Sequence, residues 1–267
     1  MQVQAEAAQH GPSSIRGTLV ALKGVGRTFR SGKAEVRALD DLELEVAPGE
    51  ALGVVGVSGC GKSTLLELIG GLQEPDAGTV AIGGETAAAA RRGACSYMPQ
   101  RDMLLPWRDA LDNAGLALEA QGLGRREARR RAEPLFERFG LEEFKRARPG
   151  TLSGGMRQRV AFMRTLLPGR PLLALDEPFA ALDAITRSSM QQWLADALVS
   201  EPRTVVLVTH DVEEALFLCD RVVVMSSRPG HVVASFTVPL ERPRDRTAAV
   251  TDPRLASLRE QALEALR

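Results

Sequence analysis
The stretch ALGVVGVSGCGKSTLLELI, residues 51–69, decides how the chain is read. Ala51 to Gly56 is a continuous run of small and apolar side chains, the composition of a strand covered on both faces. Gly56-Val57-Ser58-Gly59-Cys60-Gly61-Lys62-Ser63-Thr64 then fits GxxxxGK[ST], and Lys62 to Ile69 has a helical pattern. Strand, glycine loop and helix form the setting that a phosphate-cradling loop needs. Glycines let backbone N–H groups close around phosphate oxygens, and the helix start adds a positive dipole. At this chain's residue frequencies the pattern is expected by chance only about 0.003 times, so a fortuitous glycine turn is a minor alternative. Lys62 would reach the β/γ-phosphates, and Ser63 Oγ would bind Mg²⁺, a hard cation that takes oxygen ligands. Cys60 sits in the loop, where packing or tolerance explains it better than redox control.

Outward from this loop the chain alternates. Strand-like runs at Thr79–Ile82, Ala94–Met98, Leu172–Leu175, Thr204–Val208 and Arg221–Met225, with helical patterns between several of them, predict an α/β fold. It would be a P-loop NTPase core with a mainly parallel sheet. Upstream, Leu19-Val20-Ala21-Leu22 and the alternation Leu42, Leu44, Val46, closed by a Pro48-Gly49 turn, predict an N-terminal antiparallel β subdomain. From about 107 to 167 no strand pattern occurs, and Ala/Leu/Arg/Glu-rich segments at helical spacing predict an inserted helical subdomain. The domain reading is a flexible leader at 1–17, a nucleotide-binding domain at 18–240 and a tail at 241–267. Within the tail, Pro253 to Arg267 suits an amphipathic helix with Leu255, Leu258, Leu263 and Leu266.

A second segment supplies the other half of a phosphoryl-transfer centre. Leu172-Leu173-Ala174-Leu175-Asp176-Glu177 is an apolar strand ending in two carboxylates, which places them at the carboxyl edge of the sheet beside the phosphate loop. Asp176 would hold Mg²⁺ directly or through water, and Glu177 would polarise the attacking water. Such a pair can also cap a helix, and the phosphate loop is what favours catalysis.

Composition narrows the remaining choices. With 44% hydrophobic and 25% charged residues in 267, the chain has the usage of a folded globular protein rather than a disordered one. Lys plus Arg and Asp plus Glu are 34 each, so no net field draws the whole molecule to nucleic acid or an anionic membrane. The basic residues are 4 Lys and 30 Arg, so the Arg125–Arg131 cluster, with Glu127 and Glu133, reads as a solvated helix face in an Arg-rich sequence. Three cysteines without CxxC spacing fit a reducing compartment. Met1 to Ser14 lacks the basic start and apolar stretch of a signal peptide, and no apolar stretch of the ~18 residues that a membrane span needs is present.

Leu152-Ser153-Gly154-Gly155-Met156-Arg157-Gln158-Arg159 resembles the LSGGQ signature of the ATP-binding-cassette ATPases, with Met156 where many members carry Gln. The order of phosphate loop, signature and LLALDEP resembles the cassette pattern over roughly residues 18–240. The resemblance implies ATP and Mg²⁺ as ligands. It also implies roles for Gln100 (the Q-loop, a catalytic residue and metal ligand linking the nucleotide to a moving subdomain), Asp183 of Ala181-Leu182-Asp183 (the D-loop), His210 (the switch histidine, catalytic) and Phe29 (stacking on adenine). Ser153, Gly154 and Gly155 would complete the ATP site of an opposite subunit, which implies a head-to-tail dimer enclosing two ATP. From the residues alone, Ser153 could equally be an N-cap, His210 structural, Phe29 a core residue and Gln100 an ordinary turn residue.

DMLLPWRDALDN from Asp102, and PFAALDAITR with VTHDVEEALFLCDRVVVMSSRPG, resemble the nitrate/sulfonate/taurine group of bacterial importers, which includes transporters for the pyrimidine precursor of thiamine. In that group Met103, Leu104, Leu105 and Trp107 would adjoin the groove that receives an integral membrane permease; core packing fits the same pattern. The resemblance thus implies a peripheral subunit on the cytoplasmic face of the plasma membrane. It would serve an extracytoplasmic solute-binding protein indirectly and bind no nucleic acid. An exporter subunit and a soluble non-transport ATPase share the nucleotide motifs.

Overall fold
The structure, a computed structural model, describes residues 17–32, 34–200, 202–242 and 244–267. The expected leader therefore falls outside the described residues except for Gly17. β1 (Val20–Ser31) and β2 (Ala34–Val46) pair antiparallel. In the second half of β2 buried and exposed residues alternate, with Leu42, Leu44 and Val46 turned inward. The chain then reverses over Ala47 to Glu50. Pro48 is pre-set for the second position, Gly49 takes φ +81°, and Glu50 N–H donates to Ala47 O at 3.0 Å, as in a type II turn.

β3 (Ala51–Gly56) follows, with every residue buried, and leads through the glycine loop into α1 (Lys62–Ile69). β4 (Ala77–Ile82) joins the antiparallel sheet, whose order is β2-β1-β4, rather than the parallel core. Its first three residues are exposed and only Val80 and Ile82 turn inward, the half-covered pattern of an antiparallel strand. α2 (Ala88–Ala94) and β5 (Cys95–Met98) precede the helical insertion. That insertion comprises α3 (Ala110–Ala120), α4 (Arg125–Arg138), two 3₁₀ turns and α5 (Gly154–Leu166). β6 (Leu172–Asp176), α6 (Ala184–Ser200), β7 (Thr204–Thr209), α7 (Val212–Leu218), β8 (Arg221–Met225) and β9 (Val232–Thr237) complete the core.

The main sheet runs β5-β6-β7-β3-β8-β9, and all neighbours are parallel except β8 and β9. Both faces are covered, and the side chains of successive residues show it. Leu52, Val54, Leu172, Ala174, Val206 and Val208 pack in one core with α1 and the antiparallel sheet. Ala51, Val55, Leu173, Leu175, Val205 and Leu207 pack in the other with α5, α6 and α7. This is why these strands read as unbroken apolar runs. It also sets the carboxyl ends of β3, β5, β6 and β7 along one edge.

The tail contains α8 (Arg246–Thr251) and α9 (Pro253–Ala265). Leu255, Leu258 and Leu266 pack inward as expected, but Leu263 is 44% exposed and Ala262 is buried in its place. Positions 255, 258, 262 and 266 keep the helical period, whereas 263 has turned away from that face. α2, α8 and β9 have no counterpart in the sequence reading. β9 is an edge strand with alternate residues half-exposed, so it carries no apolar run. Among the described residues no helix is long and apolar enough to cross a membrane, and the three cysteines are buried free thiols.

Candidate active site
The loop between β3 and α1 has the backbone its glycines permit. Gly61 sits at φ +108°, and a Cβ there would come within 2.8 Å of Ala38 O. Only glycine allows that close approach, and α1 begins directly after it. The Lys62 side chain is buried, its ammonium donating to Gly56 O at 2.7 Å and Val57 O at 2.9 Å. A cleft of about 420 Å³ opens over the loop, lined by Phe29, Ser58, Gly59, Gly61, Lys62, Ser63, Thr64, Gln100, Asp176 and Glu177. The antiparallel sheet contributes Phe29, 38% exposed, with the Arg27 guanidinium 5.0 Å from its ring centroid.

Two expected loop contacts lie outside that cleft. Gly56 ends the buried strand and meets Lys62 through its carbonyl. Cys60 turns its thiol into the core, 3.8 Å from Lys62 Nζ, and its N–H closes the turn onto Val57 O. Three residues the sequence reading missed also line the cleft: Val36, Ala38 and Arg228. Arg228 donates from Nε and Nη2 to Gly59 O at 3.0 and 2.9 Å, bracing the loop from the β8–β9 turn. The available signal was the Arg228-Pro229-Gly230 turn after a parallel strand, which ends at the same sheet edge.

β6 delivers the two carboxylates. Asp176 is buried, and burial pushes its carboxyl above the usual range, opposed by a hydrogen bond from Ser63 and reinforced by the charge of Glu177. Glu177 adopts φ +46°, a left-handed conformation costing a non-glycine residue about 1–3 kcal/mol, and its N–H is held by Val208 O at 2.9 Å. That turn brings Glu177 Oε2 to 3.1 Å from Gln100 Nε2 and 3.4 Å from His210 Nδ1. Residues from the ends of β5, β6 and β7 thus meet at one carboxylate oxygen. His210 itself is mostly exposed and lines a smaller cavity behind Glu177.

Ser153, Gly154, Gly155 and Asp183 do not reach this cleft. Ser153 Oγ caps α5 by accepting from Met156 N–H at 3.2 Å. Asp183 Oδ1 caps α6 by accepting from Thr186 N–H at 3.0 Å, and these backbone bonds hold its carboxyl below the usual range. The two segments are neighbours on another surface, since a Cβ on Gly155 would sit 3.4 Å from Leu182 Cδ2 and 3.5 Å from Ala181 O.

The loop after Gln100 is structured. Leu104 is buried, Leu105 is half-buried, and Met103 and Trp107 are 61% and 69% exposed. Arg164 donates to the carbonyls of Met103 and Asp102, and Arg157 pairs with the Asp102 carboxylate at 2.9 Å, so α5 grips the loop. The basic cluster on α4 is paired within the subdomain: Arg125 and Arg129 hold Asp112, and Arg130 and Arg131 hold Glu127. Asp112 is buried, so Arg125 and Arg129 bind α4 to α3 and do more than solvate a helix face.

Comparison with known proteins agrees with this geometry. The family described as ABC transporter matches residues 39–180. The nitrate import ATP-binding protein of Synechococcus elongatus is 42% identical over 245 residues, covering 91% of this chain and 89% of that protein. An aliphatic sulfonates import ATP-binding protein of Rhodococcus jostii is 45% identical over 246 residues, covering 92% of each. A dimeric ATP-binding cassette solved in a post-hydrolysis state with ADP and Pi superposes with a TM-score of 0.77 at 32% identity, over 83% of this chain and all of that one. With its phosphate loop, paired carboxylates, Gln100 and His210 on one sheet edge, the chain belongs to the ATP-binding-cassette transporter family and is an ATP-binding, ATP-hydrolysing member of it.

Proposed function
We propose that this chain is the ATP-hydrolysing subunit of a bacterial importer for a small solute, working as a head-to-tail pair against an integral membrane permease. The observation that carries the chemistry is the meeting of Gln100, Glu177 and His210 beside Lys62 and Asp176. Lys62 and the loop N–H groups neutralise phosphate charge, Phe29 stacks on adenine, and Glu177 polarises the water that attacks the terminal phosphorus. Gln100 and His210 hold the Glu177 carboxylate in place. Ser63 hydroxyl, Asp176 carboxylate and Gln100 amide oxygen suit Mg²⁺, because they are hard oxygen donors lining one cleft and a cation there would offset the burial that disfavours the charged Asp176. Bound there, the ion would supply charge neutralisation at the phosphate oxygens.

The placement of Ser153, Gly154, Gly155 and Asp183 away from the cleft supports a site completed by Ser153, Gly154 and Gly155 of the partner subunit. The dimeric cassette solved with ADP and Pi supports the same arrangement. Import, rather than export or soluble work, is supported by the names of the nitrate and sulfonate relatives. In such a system the subunit lies on the cytoplasmic face, a solute-binding protein works on the other side, and this chain does not touch the solute. Candidate solutes are nitrate, sulfonates, taurine and the thiamine pyrimidine precursor. Replacing Glu177 by Gln should lower hydrolysis by about 10²–10⁴ while ATP binding persists and an ATP-bound dimer accumulates in size-exclusion chromatography. Undiminished turnover would remove Glu177 from the mechanism. Purification from gently solubilised membranes should recover a multi-span permease, and soluble partners alone would overturn the transport reading.

A further inference from the structure
We propose that the C-terminal segment sets the rate of hydrolysis through a buried polar chain. It runs from Arg246 through Gln191 and Glu214 to Asp211 and Thr209 and positions His210 beside Glu177. The proposal rests on the roles given above to Glu177 and His210. It also assigns work to residues after 240, which the nucleotide motifs leave without a role.

The chain crosses three helices and ends at the catalytic edge. Arg246, the first residue of α8, donates from Nη1 to Gln191 Oε1, and its backbone N–H donates to Gln192 Oε1 at 3.2 Å. Its guanidinium carbon lies 5.4 Å from the Phe217 ring centroid, which fixes the approach to α6. Gln191, fully buried on α6, donates from Nε2 to Glu214 Oε2 at 2.7 Å. Glu214 is buried on α7, in the first turn capped by Asp211. Thr209 Oγ1 in turn accepts from Asp211 N–H at 3.0 Å. Asp211 Oδ1 accepts from the N–H groups of Glu213 and Glu214 at 2.9 and 3.1 Å. His210 is therefore carried between two residues that this network holds on either side.

The last step to chemistry is short. Thr209, His210 and Glu214 line one cavity of about 40 Å³ with Glu177, whose Oε2 is 3.4 Å from His210 Nδ1. A buried polar chain of this kind is costly when broken, so it holds one geometry rather than several. α7 has a separate anchor, since Arg244 Nη1 caps the carbonyls of Leu216, Phe217 and Cys219 at its far end. Arg246 is thus not needed to keep α7 in place. Its connection leads to the other end, where His210 sits. The exposed pair of Arg259 with Glu213, at 2.6 Å, joins α9 to α7 without entering the chain and makes a control.

The test measures steady-state ATP hydrolysis and binding of a fluorescent ATP analogue by the full chain, with melting temperatures alongside. Arg246→Ala and Glu214→Gln should lower kcat by about ten- to a hundredfold with KM for ATP near wild type and cooperative melting well above the assay temperature, because misplacing a catalytic group weakens chemistry more than binding. Arg246→Lys should restore most of the loss, and Arg259→Ala should leave kcat unchanged. Wild-type kcat in Arg246→Ala would overturn the proposal. So would equal losses in Arg246→Ala and Arg259→Ala with KM rising in both, which is general loosening of the tail. Glu177→Gln and His210→Ala separate the two levels of the argument. If both keep full hydrolysis, the reading of the active site fails; if both lose it while Arg246→Ala does not, only the chain fails.

Discussion
At the scale of single residues, position in the fold changes what a side chain is worth. Glu214 is a carboxylate that burial pushes up to about 7, against hydrogen bonds from Thr209 and Gln191; Asp211 pushes the same way as burial and Arg187 opposes it. Its folded-state value lies above the unfolded 4.5, so between those pH values the folded chain holds a proton that the unfolded chain has lost. Unfolding free energy should therefore fall as pH rises through that interval, by up to about 3 kcal/mol, and level off above it. Glu214→Gln removes this titration, and urea unfolding at several pH values should show a shallower decline than wild type. Parallel profiles would refute the assignment. Asp176 is pushed the same way by burial but faces the phosphate cleft, where charge is useful.

At the scale of elements, the segment between β5 and α3 shows how one buried residue organises a loop. Asn113, fully buried on α3, accepts from Leu105 N–H at 2.7 Å and donates to the carbonyls of Leu105, Arg108 and Asp109. Asn113→Ala takes the side-chain partner from the Leu105 N–H and the Arg108 carbonyl, while the Leu105 and Asp109 carbonyls keep the backbone N–H groups of Arg108 and residue 113, and should cost about 1–3 kcal/mol in urea unfolding. A loss below ~0.5 kcal/mol would mean that water replaces the side chain freely. The same loop is gripped by Arg157 and Arg164 of α5, whose first turn carries Ser153 and Gly154. Gln100 and the signature helix are joined through protein contacts rather than separated by a flexible link. The helical insertion was legible from its composition, but these cross-ties were not. They depend on arginines whose partners lie tens of residues away.

At the scale of the whole molecule, the proposed function calls on two separate regions. One is the phosphate cleft at the sheet edge, and the other is the exposed Met103 and Trp107 on the structured loop. Both apolar side chains are largely solvent-exposed, so replacing either by Glu costs little folding energy. Met103→Glu with Trp107→Glu should abolish permease-coupled transport in reconstituted vesicles while hydrolysis by the isolated subunit persists. Normal transport by that pair would exclude this loop from the permease contact.

Local chemistry alone determined the phosphate loop, the carboxylate-ended strand and most of the parallel core. Backbone reach, glycine conformation and two-sided burial each leave a mark within a few adjacent residues, as in residues 51–69. Tertiary structure decided what depends on distant partners. It moved β4 into the antiparallel sheet, turned Cys60 out of the cleft and Leu263 to solvent, and added Arg228 to the loop's support. It also brought Gln100 and His210 to one Glu177 oxygen and linked Arg246 through Gln191 and Glu214 to Asp211 and Thr209. The physical reason is that a polar side chain's partner is set by packing of elements far apart in the chain, and no local period records it.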